Sequence, residues 1–298
     1  MRILCIHAHF DDFEFVAAGT FELWRRKLGA ELEARVLVCT DGKAGHHFRT
    51  REETMCLRLE EQEASANIGQ YDFRVLRLPS GEVPRDGCLT VTPPLLAALW
   101  KEIREFQPDY IFAPPYPSDP MVGIHIDHVA VSEAVRKVAY MINVPHAFLP
   151  EYPRPDEAAH AEAQPVKVPV ILTLHDSYTG ENGFDLAVDV EDAFDAICEM
   201  TWCHQSQIAE WIPWVGRHEM EVPQSKEDWR KTLRKRFVKR NREMGLPFER
   251  IHEFFTVTAW GEVPTEPQLS KDFPNLNRAF SRLDDLRVRL NRWRGDPS

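Results

Sequence analysis

The stretch whose pattern decides the fold is RILCIHAHFDDFEFVAAGTFELWRRKLGAELEARVLVCT (2–40). It opens with a short apolar run, RILCIHA (2–8), and closes with another, ARVLVCT (34–40); between them FEFVAAGTFELWRRKLGA (13–30) keeps helical periodicity as far as Gly29. Two strands joined by one helix pair in parallel through a right-handed crossover. The alternation then continues. Asp41-Gly42 ends the second strand, residues 50–69 are helical with Gly69 as the stop, and FRVLRL (73–78) is a third strand. PPLLAALWKEIREF (93–106) is a helix with prolines at its start, DYIFAPP (109–115) a fourth strand, and DHVAVSEAVRKVAYMIN (127–143) a helix. The expected fold class is α/β: a Rossmann-like three-layer sandwich around a mostly parallel sheet. Ligands of such sheets sit outside the carboxyl ends of the strands, here just after residues 8, 40, 78 and 115.

The second half is less regular. Residues 150–167 (PEYPRPDEAAHAEAQPVK) read as an exposed loop, PVILTLHD (169–176) and FDLAVDV (184–190) as strands, and 191–212 as a helix. Residues 226–244 read as a basic helix, IHEFFTVTAW (251–260) as a late strand, and the last thirty residues as an Arg-rich helix. The expected organisation is a main domain over 1–262, with a basic helical insert at about 225–245, and a helical C-terminal extension over 263–298.

Composition removes several classes. The chain has 298 residues, 36 Lys+Arg against 47 Asp+Glu, and a formal net charge of −11, which argues against a binder of duplex nucleic acid. It holds no apolar run of about 18 residues, so no membrane span is expected. Six cysteines without a CxxC pair, and a first segment too short for a signal peptide, point to reduced thiols and a cytoplasmic protein. Against the acidic background, 225–242 packs nine Lys/Arg with two acids. Trp229, Leu233, Phe237 and Met244 recur there at helical spacing, so the segment is expected to dock as an amphipathic helix on the acidic body; an element for binding an anionic surface is the sharper alternative.

The predicted ligand edge is rich in His and Asp. His7-Ala8-His9-Phe10-Asp11-Asp12 follows the first strand, Thr40-Asp41-Gly42-Lys43-Ala44-Gly45-His46-His47 the second, and His125-Ile126-Asp127-His128 opens the helix after the fourth. Zn²⁺ takes imidazole and carboxylate ligands and in catalytic sites keeps a position for water. His9, Asp12 and His128 can supply such a set, with Asp11 beside it as a general base. Asp127 either caps its helix or orients a histidine from behind. His7, opposite in strand parity to Ala8, reads as a packed histidine.

Ala8-His9-Phe10-Asp11-Asp12-Phe13 resembles the AHPDDE motif of the PIG-L/LmbE-like zinc N-deacetylases, and Thr40–Gly45 is similar to their TDGEAG-like segment. His125-Ile126-Asp127-His128 resembles HPDH, and His204-Gln205-Ser206-Gln207 resembles HxSQ, preceded by a strand containing Val188-Asp189-Val190; Glu253-Phe254-Phe255 matches the late E-x-F strand. The likeness covers roughly residues 1–260. It implies that His9, Asp12 and His128 hold zinc (Fe²⁺, Co²⁺ or Mn²⁺ being other occupants of such a site), that Asp11 is the base, and that His125 stabilises the oxyanion or protonates the leaving amine. Asp127 and His204 would support the site. The implied reaction is removal of an N-acetyl group from an N-acetylglucosamine-type sugar or conjugate, with an amidase on a larger sugar-linked conjugate as the alternative. The implied partner is that small molecule; nothing in the sequence speaks to oligomeric state.

The motifs depart from the family pattern at a few positions. Phe10 and Ile126 replace prolines, Lys43 stands where Glu is common, and Phe13 replaces the Glu, which reappears one residue on as Glu14. Residues 121–124 lack a tyrosine that part of the family carries, and Tyr116 is the candidate substitute. Arg49 and Arg51 are candidates to hold an anionic or polyol substrate, with plain surface arginines as the competing reading. A dinucleotide-binding oxidoreductase is disfavoured because the first strand-to-helix turn has two carboxylates and no GxGxxG. A non-catalytic binding protein on the same fold, and a nucleic-acid module built on 226–242, are the remaining competitors.

Overall fold

The computed structural model describes residues 1–117, 125–153, 165–176, 183–216, 221–247 and 249–295. Among these, strands β1 (Arg2–His7), β2 (Glu33–Val38), β3 (Asp72–Val75), β4 (Tyr110–Ala113), β5 (Val170–Leu174), β6 (Leu186–Asp189) and β7 (His252–Val257) form one sheet. Its order is β3-β2-β1-β4-β5-β7-β6. β1 pairs in parallel with β2 and β4, β2 with β3, and β4 with β5, whereas β7 runs antiparallel to both β5 and β6. The mostly parallel α/β sheet expected from the sequence is the observed one.

Strand parity sorts the core into two layers. Ile3, Cys5 and Phe112 face one side, where Trp24, Ile197, Leu233 and Leu286 cover them. Leu4, Ile6 and Ile111 face the other, against Leu99 and Val135. Burial on both faces is why these strands read as continuous apolar runs rather than alternating ones. The covering helices are α1 (Ala18–Leu28), α2 (Arg51–Gly69), α3 (Pro93–Phe106), α4 (Ile126–Met141), α5 (Phe194–Trp202), α6 (Ile212–Val215), α7 (Lys226–Glu243), α8 (Glu266–Asp272) and α9 (Leu283–Arg294). From β1 the strand order runs outward to β2 and β3; from β4 it runs the other way. The carboxyl ends of β1 and β4 therefore flank the switch point, where such sheets open a crevice.

Three predicted helices differ from those observed. Residues 13–30 are not one helix: a 3₁₀ turn, Asp12–Phe15, precedes α1. The helix expected over 191–212 breaks after α5 and resumes as a π-helical stretch, Ser206–Trp211, before α6. The break lets His204 turn fully inward. The last thirty residues hold the end of α8 and all of α9, with an interruption after α8 at Phe273, whose extended backbone is what a residue before proline adopts. Leu269, Phe273 and Leu286 pack into the same core as Trp24 and Phe112, so the C-terminal segment is joined to the main body. Among the described residues no helix is long and apolar enough to cross a membrane. Residues 118–124, 154–164, 177–182, 217–220, 248 and 296–298, which include most of the proline-rich loop and the segment just before His125, lie outside the described residues.

The basic helix docks as its spacing predicts. Trp229, Leu233 and Phe237 are buried, and the Trp229 indole N–H donates to Thr201 Oγ1 at 2.8 Å. Beside that stripe, Lys226 meets Glu199 (2.7 Å), Arg230 meets Asp195 (2.5 Å), and Arg234 meets Glu191. Both rows advance four residues at a time, so two helix faces of opposite charge zip together.

Candidate metal centre

The chain turns sharply after β1. Asp11 takes a φ of +85°, a left-handed conformation that costs a non-glycine residue about 1–3 kcal/mol. The turn swings Asp12 back so that its Oδ2 accepts from the His9 N–H at 2.8 Å. Phe10, in place of the motif's proline, lies against Gly42, where a Cβ would come within 2.6 Å of the ring; at φ +63° this position needs glycine on both counts.

Three side-chain atoms converge here. His9 Nδ1 lies 3.2 Å from Asp12 Oδ2, His128 Nε2 lies 3.2 Å from His9 Nδ1, and His128 Nε2 lies 3.4 Å from Asp12 Oδ2. Ligands bonded to zinc at about 2.0–2.1 Å in a tetrahedron stand about 3.3 Å apart, so this donor set fits the cation its chemistry suggests. The far nitrogens of both imidazoles are held by carboxylates. His9 Nε2 is 2.9 Å from Asp127 Oδ2 and 3.4 Å from Asp86 Oδ1, and His128 Nδ1 is 2.6 Å from Asp176 Oδ2. A carboxylate behind each ring selects the tautomer whose lone pair faces the centre of the triangle.

Without a cation these groups hold protons tightly. Burial opposes a charged His128, but Asp12 and Asp176 outweigh it and push its pKa up to about 9. His9 is raised above its ordinary value by Asp12, Asp127 and Asp86, again against burial. Asp12 is lowered despite its burial by His7, His128 and His9. His7 is packed, as its strand parity suggests, yet its Nδ1 lies 2.5 Å from Asp12 Oδ2, which puts it on the cluster's inner wall. His7 with Asp12 and His128, His9 with His125 and His128, and His9 with Asp86 and Asp127 are each close enough to share a cation.

Asp11 lies beside the triangle. Its carboxylate accepts from Arg58 Nη2 at 3.1 Å, and its N–H donates to Gln62 Oε1 at 3.0 Å. Burial, against the pull of Arg58, pushes its pKa up to about 6. The His125 ring sits 4.5 Å from that of His9, and its Nδ1 accepts from the Asp127 N–H at 3.3 Å. Nε2 of His125 therefore carries the proton, while burial and the neighbouring histidines lower the ring's pKa. Asp127 does not cap α4; His125 does. The Asp127 carboxylate instead receives the N–H groups of Gly87 (2.6 Å) and Leu89 (2.8 Å), tying the segment after β3 to His9.

Glu14, one residue beyond the motif's Glu position, is fully buried. Glu14 Oε1 accepts from Gln62, Ser65 and Tyr71 at 2.6–2.7 Å and lies 3.4 Å from His204 Nε2. Ser206 donates twice to Glu61 (2.6 and 2.7 Å), and Gln207 Nε2 donates to the Gly45 carbonyl at 3.2 Å. The late motif thus braces both the first turn and the loop after β2.

A cavity of ≈ 280 Å³ opens over this cluster, lined among others by His9, Asp11, Asp12, His125, His128, Trp211, Arg236 and Arg240. The tentative substrate residues are not among its described lining. Arg49 binds Glu210 at 2.6 Å, Arg51 faces Asp41 at 3.7 Å, and Tyr116 is exposed with Arg136 over its ring. Each has a closer partner than the cavity. Sequence reasoning missed Asp86, Asp176, His175 and Arg58. Three of these were readable, because Asp86-Gly87 lies in the segment after the third strand and His175-Asp176 directly follows the fifth. Arg58, on α2, had no such signal.

Residues 4–139 match the PIG-L family, described as GlcNAc-PI de-N-acetylase. Among curated proteins no sequence matches the chain. Among solved structures, the N,N'-diacetylchitobiose deacetylase of Pyrococcus horikoshii, complexed with its inhibitor MPG, is similar at TM-score 0.65 and 21% identity, over 87% of this chain and 84% of that one. The conserved protein TT1542 of Thermus thermophilus gives 0.58 and 22%, over 86% and 93%. GalB, the 4-carboxy-2-hydroxymuconate hydratase of Pseudomonas putida KT2440, gives 0.57 and 15%, over 86% and 95%. At these identities the likeness is one of fold. Residues 4–139, which run from β1 through α4 and contain His9, Asp12 and His128, are a PIG-L domain.

Proposed function

We propose that this chain is a zinc-type, metal-dependent hydrolase that removes an N-acetyl group from an N-acetylglucosamine-type sugar or sugar conjugate. The observation that carries the proposal is the triangle of His9 Nδ1, Asp12 Oδ2 and His128 Nε2, with edges of 3.2–3.4 Å, at the switch point of the sheet. The PIG-L domain supports the amide substrate, and a deacetylase of similar fold supports the sugar. A hydratase shares that fold too, so the fold alone does not choose the reaction.

His9, Asp12 and His128 would hold the metal. Once bound, it supplies Lewis acidity toward an amide carbonyl and lowers the pKa of water at the site to about 7. Asp11 takes the proton of the attacking water, held in place by Arg58. His125 would direct its Nε2–H to the oxygen that gains charge, and the proton taken by Asp11 would pass on to the departing nitrogen, so that the water's proton ends on the free amine. Asp127 and Asp176 keep the two ligand imidazoles in their working tautomers.

The test is elemental analysis of purified protein beside an assay of amine release from N-acetylated sugars. Near one metal per chain, with acetate and free amine produced, is the expected result. Protein that arrives metal-free and takes up no added Zn²⁺ overturns the reading in favour of a binding protein. Turnover confined to bulkier sugar-linked amides moves it to the amidase.

A further inference from the structure

A stack of rings stands beside the cavity and is open at one end. His46 and His47, in the loop after β2, lie nearly parallel at a centroid spacing of 5.2 Å and an interplanar angle of 7°. His47 in turn lies parallel to Trp214 of α6, at 4.5 Å and 1°. Trp211, the last residue of the π-helical stretch, stacks beside Trp214 at 5.3 Å and is itself a wall of the cavity. The His47 and Trp211 centroids are only 6.4 Å apart. Rings on opposite faces of Trp214 would stand about 10 Å apart, the sum of the two spacings, so these two do not sandwich the indole. One face of Trp214 is covered and the other is open, as its 47% exposure requires.

The stack is braced from behind. Glu210 takes His46 Nε2 at 2.7 Å and Arg49 Nη2 at 2.6 and 2.7 Å, which ties the loop after β2 to the segment that carries both tryptophans. That segment is π-helical, a rare geometry that recurs at functional sites. His46, Arg49 and Glu210 are thereby engaged with one another. Phe48, edge-on to His47 at 4.8 Å, and Val215, next in the chain to Trp214, are exposed and apolar. A pyranose laid on the indole brings hydroxyl groups that need partners of their own; a flat aromatic ring needs only the face.

We propose that the open face of Trp214 is a subsite for an aromatic ring joined to the N-acyl sugar, so that the sugar enters the cavity while the aglycone continues the stack. The substrate part rests on the hydrolase reading above; the ring subsite itself does not. Trp211 belongs to both the cavity wall and the stack, which lets one ligand engage the two.

The experiment compares metal-loaded wild type with Trp214→Phe and Trp214→Leu. Substrates are the 4-nitrophenyl and methyl β-glycosides of N-acetylglucosamine and N,N'-diacetylchitobiose, and the readout is kcat/KM relative to the methyl glycoside. Wild type is expected to favour the aryl glycoside by about tenfold, a ratio partly kept in Trp214→Phe and lost in Trp214→Leu, which stays apolar without a ring. Because each protein is its own reference, a general loss of folding does not imitate the effect. An aryl ratio equal in wild type and Trp214→Leu overturns the subsite while leaving the hydrolase intact. A preference for the disaccharide over the aryl glycoside, lost in Trp214→Leu, gives the face to a second sugar and overturns the aromatic assignment. Calorimetric binding of 4-nitrophenyl and methyl β-glucosaminide provides the arm without turnover. Tighter binding of the aryl compound by about tenfold, lost in Trp214→Leu, in a protein that deacetylates nothing, sustains the subsite and removes the hydrolase; equal affinities for the two compounds in wild type remove the subsite.

Discussion

Asp176 Oδ2 lies 2.6 Å from Nδ1 of His128, a contact between the end of β5 and the first turn of α4. That carboxylate decides which nitrogen of His128 is available to a metal. Asp176→Ala should therefore weaken metal binding by about 10–100-fold while the fold survives. Competition against a chromophoric chelator measures it, and unchanged affinity would show that the tautomer is set elsewhere.

Base and ligand assignments separate in a second comparison. Asp12→Ala and His128→Ala should lose both metal and turnover. Asp11→Asn, whose neighbour Arg58 keeps an acceptor, should retain metal and lose about 10²–10⁴ in kcat. Metal content and amine release on the same preparations read both quantities. A fully active Asp11→Asn would return the base role to another group.

The metal-free protein should release protons on loading. With His128 at about 9, a cation must displace its proton at neutral pH. Apparent zinc affinity should then rise by about tenfold per pH unit for one displaced proton and level off near pH 9. Stability of the metal-free form runs the other way. The contacts that raise His128 above its ordinary 6.5 contribute fully below pH 6.5 and are lost as pH rises through about 9. Calorimetry in buffers of different ionisation enthalpy and pH-dependent thermal melts give the two signs independently.

The Glu14–His204 pair is structural. Burial disfavours both charges, yet His204 with Ser65 and Tyr71 holds Glu14 below its ordinary value, and Glu14 holds His204 above its own. The Glu14 contribution is present above pH 4.5 and lost as pH falls through its lowered pKa. That of His204 is present below pH 6.5 and lost as pH rises through its raised one, so the pair contributes most between. Glu14→Ala, which strands buried Ser65, Tyr71, Gln62 and His204, should cost about 3–5 kcal/mol in denaturant unfolding. A loss below about 1 kcal/mol would mean that water replaces the carboxylate.

Docking of the basic helix should depend on its apolar stripe far more than on its charges. Trp229→Ala removes a fully buried indole and should cost about 3–5 kcal/mol. Arg230→Ala breaks a pair whose partner Asp195 is largely exposed and should cost about 0.2–1 kcal/mol. Similar values for the two would reverse that ranking.

The alternation of apolar runs and helical periods made β1 to α4 legible, and with them the sheet edge where His9, Asp11, Asp12, His125 and His128 gather. These are local properties: a strand buried on both faces must be apolar throughout, and a turn after it must be polar. Local periodicity could not place β7 antiparallel between β5 and β6, because its pairing depends on segments far away in the chain. Nor could it show the break at Cys203 that turns His204 inward, since the helical pattern continues across it.

The sequence by itself determined the α/β class, the edge where the His/Asp cluster gathers, and the residue types that meet there. Only the tertiary structure decided the partners. His9 and His128, 119 positions apart, come within 3.2 Å, and Asp176 rather than Asp127 stands behind His128. Glu210 takes Arg49, while Arg236 and Arg240 reach the cavity. The reason is physical. Burial patterns are written in neighbouring residues, but a charge finds its partner through space, and which of several arginines or carboxylates arrives first depends on how the helices pack.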